Sequence, residues 1–166
     1  HFQITDITNG ILYKNDGATS ISNNDFITFA EGNAGLKFLS DPDFNGTGYI
    51  TIQASTDNTI SGLGDNQVEA TITVNTIADL PSITSATTDE DILSSSGLVI
   101  SRNSVDGDEV THFQITGITN GSLYKNDGTS ISNDEFITFA EGNAGLKFMP
   151  TADFNGTGYI TIQAST

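Results

Sequence analysis

One long unit occurs almost twice in this chain, and that duplication limits what it can fold into more than any other feature. His1 to Gly17 returns as His112 to Gly128 with 15 of 17 positions identical, and Thr19 to Thr56 returns as Thr129 to Thr166 with 32 of 38 identical. Ala18 is a one-residue insertion, so the offset is 111 residues before it and 110 after it. A repeat of that length is a whole small domain, not the turn of a solenoid. Arrays of near-identical domains serve reach, multivalency or self-association, whereas a catalytic site seldom needs to be present twice. The duplication therefore predicts a chain that is not an enzyme.

The segments between turn signals read as strands. His1–Thr5, Phe26–Phe29, Leu36–Leu39, Tyr49–Ala54, Glu69–Val74 and Leu98–Ser101 are short alternating runs rich in Ile, Val, Thr, Phe and Tyr. Between them stand Asn9-Gly10, Asn15-Asp16-Gly17, Glu31-Gly32-Asn33-Ala34-Gly35 and Asn45-Gly46-Thr47-Gly48. Asn-Gly and Asp-Gly supply the positive φ that tight hairpins demand. No window shows helical periodicity. Many short strands at regular spacing predict an all-β, antiparallel β-sandwich. All ten Phe and all four Tyr lie in the duplicated halves, and their alternation, as in Phe26-Ile-Thr-Phe29 and Tyr49-Ile-Thr-Ile52, predicts rings packed inward.

Ile77-Ala78-Asp79-Leu80-Pro81 marks a boundary, because Pro81 cannot continue a ladder. The chain is thus expected to hold two sequential domains, 1–80 and 81–166. The first lacks its opening strands and the second its last one. A closing strand near residues 66–76 cannot double back to serve the second domain. The return path is about 35–40 Å, and the six or seven residues available reach only about 20–24 Å. Open edges at both ends invite completion by a neighbouring molecule, so self-association with like domains is expected. The first residue falls in mid-repeat, as expected of an internal piece of a longer chain whose secretion signal lies elsewhere.

With 21 Asp+Glu against 5 Lys+Arg the net charge is −16, which repels nucleic acid and anionic membranes. No apolar run approaches the roughly 20 residues of a membrane span. Cysteine is absent, which excludes disulfides and thiolate zinc sites and leaves only oxygen ligands for a hard cation. Several carboxylates fall where loops are expected: Asp41-Pro-Asp43, Asp57, Asp79 and Asp106-Gly-Asp108-Glu109. Such D-x-D spacings suit calcium, which takes six to eight oxygens, and they equally suit solvated acidic loops.

The ordered series D-G-D-E-V-T, N-G-S-L-Y, D-F-N-G-T, Y-I-T-I-Q-A-S-T and A-D-L-P resembles the cadherin-like tandem repeats of giant secreted bacterial adhesins of the RTX type. The resemblance covers the whole chain. It implies seven-stranded Greek-key sandwiches strung like beads, an extracellular location, and calcium at the junctions. By analogy with cadherin junctions, Asp41, Asp43, Asp79, Asp106 and Asp108 would converge on one junction. Glu90, Asp91 and Asp153 would face the next, and Asp57 would lie near the upper pole. Three positions depart from the pattern. Ala78 stands where the linker usually has Asn, Ser104 where a third aspartate often precedes D-G-D, and Thr151-Ala152 replaces Asp41-Pro42. The implied function is a calcium-rigidified structural and adhesive module of a large bacterial surface or secreted protein, with homophilic contact as one mode. A carbohydrate-binding module, taking polysaccharide, is the alternative, although no Trp and no aromatic pair outside the patterned core supports it.

Other motifs lead nowhere. Gly62-Leu-Gly64-Asp65 occurs once, where a calcium β-roll needs a series. His1 and His112 have no second His or Cys beside them. No nucleophile elbow or Ser–His–acid order stands out. The Asn45 and Asn155 sequons coincide with Asn-Gly turns.

Overall fold

Asn-Gly and Asp-Gly turns separate runs of β-branched residues along the whole chain, and those runs fold as antiparallel strands. A computed structural model describes residues 1–166, which divide into two compact units, His1–Thr76 and Ile77–Thr166. The first unit carries β1 (Phe2–Thr5), β2 (Gly10–Tyr13), β3 (Ser20–Ile21), β4 (Phe26–Ile27), α1 (Phe29–Asn33), β5 (Lys37–Ser40), β6 (Gly46–Ser55) and β7 (Leu63–Val74). One sheet has the order β4-β1-β6-β7 and the other β3-β2-β5. Buried Ile4, Leu12, Ile21, Ile27 and Ile50 come from both sheets and meet in one core, which makes the unit a β-sandwich.

The second unit carries β8 (Ser82–Ile83), β9 (Ile100–Ser101), β10 (His112–Thr119), β11 (Gly121–Tyr124), β12 (Ser130–Ile131), β13 (Phe136–Thr138), α2 (Phe139–Asn143), β14 (Lys147–Pro150) and β15 (Tyr159–Ser165). Its sheets are β13-β10-β15 and β12-β11-β14, with β8 paired to β9. The core is larger and includes Ile100, Val110, Phe113, Ile115, Leu123, Ile137 and Leu146. Residues 77–80 belong to this unit, and Ala78 packs against its core. No helix is long and apolar enough to cross a membrane.

The segment from β8 to β9 precedes the repeated stretch, and it is tied down by backbone pairing. Ser94 exchanges two bonds with Phe148, its N–H donating to Phe148 O at 2.9 Å and its Oγ accepting from Phe148 N at 2.9 Å. Leu146 N–H donates to Leu98 O at 3.1 Å, and Asn143 Nδ2 donates to Ile100 O at 3.1 Å. Arg102 then lies 3.6 Å over the Phe139 ring. Phe29, the counterpart of Phe139, is 66% exposed.

Two expectations need correcting. The chain is not free of helix: FAEGN forms a short helix in each copy, where a strand end and a turn were expected. Thr28 and Glu31 make a reciprocal capping box, repeated by Thr138 and Glu141, and this satisfies the first free N–H groups of each helix. The rings are also less buried than their alternation suggests. Phe29, Tyr49, Phe136 and Tyr159 are exposed, and only Phe113 is wholly enclosed. Alternation along β4, of two residues, and β13, of three, buries Ile27 and Ile137 and leaves Phe26 and Phe136 on the other side. Phe136 and Tyr159 share an outer face, but they sit at opposite ends of the β10 ladder, opposite Gln114 and Thr119. Strand geometry separates them by roughly 16 Å, so they do not form one stacking platform.

Close strand approach requires glycine at two equivalent positions. A Cβ on Gly10 would collide with Leu39 O and the Phe38 ring, and one on Gly121 with Met149 O and the Phe148 ring.

The capping glutamates give a pH signature. Lys125 Nζ donates to Glu141 Oε1 at 2.9 Å and Lys14 Nζ to Glu31 Oε1 at 2.7 Å. These lysine bonds, with the Thr138 and Thr28 N–H groups, draw both carboxyls down from the ordinary 4.5 to about 2. Their contribution to stability is complete above the unfolded value and is lost as pH falls through the folded one. Thermal unfolding is expected to fall between about pH 4.5 and pH 2, and Glu141→Gln should flatten that fall in the second unit.

Candidate metal centre

Acidic loops follow from the turn chemistry of the strands, so each carboxylate must first be tested against a local task. Asp57 has one. Its Oδ1 accepts from Thr59 Oγ1 at 2.7 Å and Thr59 N at 2.8 Å, and these bonds hold its pKa below the ordinary range. The turn accounts for it without a cation.

Asp41 and Asp43 lie in the first unit just past β5. Asp41 N–H donates to Asn9 O at 3.0 Å, and Asp43 adopts a left-handed φ of 58°. In the second copy Thr151 donates to Asn120 O at 3.0 Å, and Asp153 has the same φ of 58°. The backbone turn is thus indifferent to the Asp41 carboxylate, which leaves that side chain exposed with no local role in shaping the loop.

Asp153 N–H donates to Asp91 Oδ1 at 3.1 Å, which brings two of the expected residues together. Asp91 itself has a φ of 57°. Glu90 is exposed and lines a groove beside β15.

The most constrained carboxylate is Asp106, which is 3% exposed. Its Oδ1 accepts from Asp79 N–H at 2.9 Å, so the residue entering the second unit is anchored to the loop before β10. Its Oδ2 is buried and has no hydrogen-bond partner. A buried carboxylate oxygen left unpaired is costly, and natural sites rarely tolerate one without a reason. Asp108, two residues on, behaves in the opposite way. Its side chain is fully in solvent, where Oδ1 accepts from Arg102 Nη1 at 2.7 Å.

Arg102 was not singled out from the sequence, yet it shapes this corner. It donates to Gly107 O at 2.8 Å as well as to Asp108, while its buried Nε lacks a partner. A lone arginine four residues before D-G-D was the available signal.

Asp79 with Asp106 and Asp91 with Asp153 are the pairs that the fold joins, both within the second unit. Neither unit gathers three or more His, Cys, Asp or Glu side chains into a ready cluster for a metal ion. The orphaned Asp106 Oδ2 fits a hard cation, and the backbone of Asp79, 27 residues earlier in the chain, is bonded to the same carboxylate. No family model, no curated protein and no solved structure matches this chain.

Proposed function

We propose that the chain is an extracellular adhesion module, a tandem of β-sandwich beads from a large bacterial surface or secreted protein, rigidified by calcium. The observation that carries this reading is the Asp106 carboxylate, buried beside the entry to the second unit with one oxygen unpaired. Asp106 and Asp79 would hold the ion, with carbonyls and water completing the six to eight oxygens calcium takes. The ion would supply charge neutralisation in a chain of −16 and would fix the Ile77–Asp79 segment to the sandwich that follows.

The near-identity of residues 1–56 and 112–166 supports a mechanical or adhesive role over a catalytic one. Identical beads multiply weak contacts and extend reach without any new chemistry. No catalytic role is assigned to any residue.

Calcium titration followed by calorimetry tests the reading. With affinity in the 10⁻⁴–10⁻³ M class of extracellular modules, 10 mM calcium is expected to add about 1.4–2.7 kcal/mol to the second unit. That corresponds to a rise in Tm on the order of 5–20 °C for a domain of this size. Unfolding that is identical in excess chelator and in 10 mM calcium rejects the metal. Sedimentation in both conditions tests the adhesive part, which a strict monomer throughout would contradict.

A further inference from the structure

Thr151-Ala152 in the second copy stands where Asp41-Pro42 stands in the first, and the turn around each pair is the same. Asp41 N–H donates to Asn9 O at 3.0 Å, and Phe44 N–H donates to Asp41 O at 3.2 Å. Thr151 and Phe154 repeat both bonds, each at 3.0 Å. Asp43 and Asp153 share a left-handed φ of 58° at the third position, the type II arrangement that favours proline at the second. Asp41, Pro42, Thr151 and Ala152 are all exposed. The turn is therefore open to water in the second unit as well, where a packed segment precedes the repeat. Its frame forms with or without Asp41-Pro42, so what that pair adds is chemical.

Of the three prolines, only Pro42 follows an aspartate. Before any other residue, an aspartate carboxyl can be attacked by the next backbone N–H, which closes a succinimide ring and leaves the chain whole. Proline has no N–H, so that route is shut at Asp41. The reverse attack, of the carboxylate on its own backbone carbonyl, stays open. The Asp41 carboxylate is in solvent and takes no part in shaping the turn, which leaves it available for that attack.

We propose that the Asp41–Pro42 peptide bond is a self-cleavage site, where the folded chain hydrolyses its own backbone in mild acid. A carboxylate oxygen of Asp41 adds to the Asp41 carbonyl carbon and closes a cyclic anhydride. The C–N bond to Pro42 breaks, its electron pair stays on the Pro42 nitrogen, and that nitrogen takes a proton from solvent. Water then opens the anhydride, which restores the side-chain carboxyl and leaves a new α-carboxyl on Asp41. One water is consumed for one bond broken, and nothing is oxidised or reduced. The turn assists twice. Phe44 N–H donates to the oxygen on which negative charge grows as the carboxylate adds. The Asn9 and Phe44 bonds also fix the backbone, so ring closure costs less entropy than in a loose chain. This is a single turnover of the chain on itself and implies no substrate site. Because β1 pairs with β6 across the cut, from Phe2–Ala54 to Thr5–Thr51, the two pieces stay together until that pairing is lost. The result is a latent break in the first unit that the second unit does not carry, and it holds whether or not the chain binds calcium.

The test uses the full chain in chelator at about pH 4.5, where Glu31 and Glu141, with pKa values of about 2, stay ionised and keep both helix caps. Scission over days is read by denaturing electrophoresis and by mass spectrometry of the fragments. The expected result is a single cut that yields residues 1–41 and 42–166, with none at Thr151–Ala152. It is expected to run at least about threefold faster in buffer than in urea at the same pH, because unfolding removes the turn. Asp41→Thr puts in a residue that the same turn already holds in the second copy, and it is expected to abolish the cut. Thr151→Asp with Ala152→Pro is expected to create a second cut, between residues 151 and 152. The proposal is overturned by a chain that stays whole, by equal rates in buffer and urea, by an Asp41→Thr chain cut as fast as the parent, or by a transplanted pair that is not cut.

Discussion

Phe113→Ala is expected to destabilise the second unit by about 3–5 kcal/mol, whereas Phe2→Ala, the same change in the other copy, should cost the first unit no more than about 1–2 kcal/mol. Phe113 is wholly enclosed and shares a buried cluster with Ile100 and Val110, which lie just before the repeated stretch. Its ring lies so close to Gly142 that a Cβ there would stand 3.0 Å from it, and 3.2 Å from Ile100. Such a tight site collapses poorly when the ring is removed, so both the lost transfer energy and the cavity count in full. Phe2 meets Gly32 at the same 3.0 Å, and its ring centroid is 6.1 Å from that of Phe29. Yet it sits on the wall of an open pocket with Ile27, Phe29, Leu36 and Ile52, so water fills the space that alanine leaves. Calorimetry should show two transitions, the Phe113 variant lowering one of them on the order of 15–30 °C and leaving the other in place. Equal shifts from the two variants would show that the cluster with Ile100 and Val110 adds nothing to the cost of losing Phe113.

That contrast also shows how far the residues could be read in advance. Turn pairs such as Asn9-Gly10 and Asn120-Gly121 signal strands on either side, and strands form there. The short helices were legible too, as Thr28-x-x-Glu31, because a capping box is written in four consecutive residues. They were obscured by Phe26-Ile-Thr-Phe29, whose spacing suits a strand as well as a helix over so short a run. The inward residue was not legible. Ile27 and Phe26 are equally apolar, and only the pairing of β1 with β4 decides which side of the sheet each occupies. The acidic corner was half legible. D-G-D marks a loop, but nothing in its spacing says that Asp106 turns into the protein while Asp108 turns out to meet Arg102. Burial of one carboxylate depends on Ala78 and Asp79 docking from nearly thirty residues earlier, a contact that local pattern does not encode.

Asp106→Asn is expected to stabilise the chain in chelator and to destabilise it, relative to the parent, in 10 mM calcium. The crossing of the two orders is the signature. In chelator the parent has a buried carboxylate whose Oδ1 receives the Asp79 N–H and whose Oδ2 receives nothing. Asparagine keeps the first bond through its amide oxygen and removes a buried charge, for a gain on the order of 1–3 kcal/mol. In calcium the parent recovers that cost and the variant cannot, since an amide is a far weaker ligand for a hard cation than a carboxylate. The bland competitor is Arg102, whose Nε is likewise buried and unpartnered. Were Arg102 to swing from Asp108 to Asp106, the two orphans would satisfy each other with no ion. Asp106→Asn would then break a buried ion pair and cost about 3–5 kcal/mol in both buffers, with the calcium response unchanged. Asp108→Asn separates the cases further. Its carboxylate is in solvent, so its loss is expected to cost no more than about 1 kcal/mol. It also frees Arg102 to move. A parent-like calcium response in Asp108→Asn, beside a lost one in Asp106→Asn, assigns the ion to the buried carboxylate, because under an Arg102 pairing neither substitution would alter the calcium response.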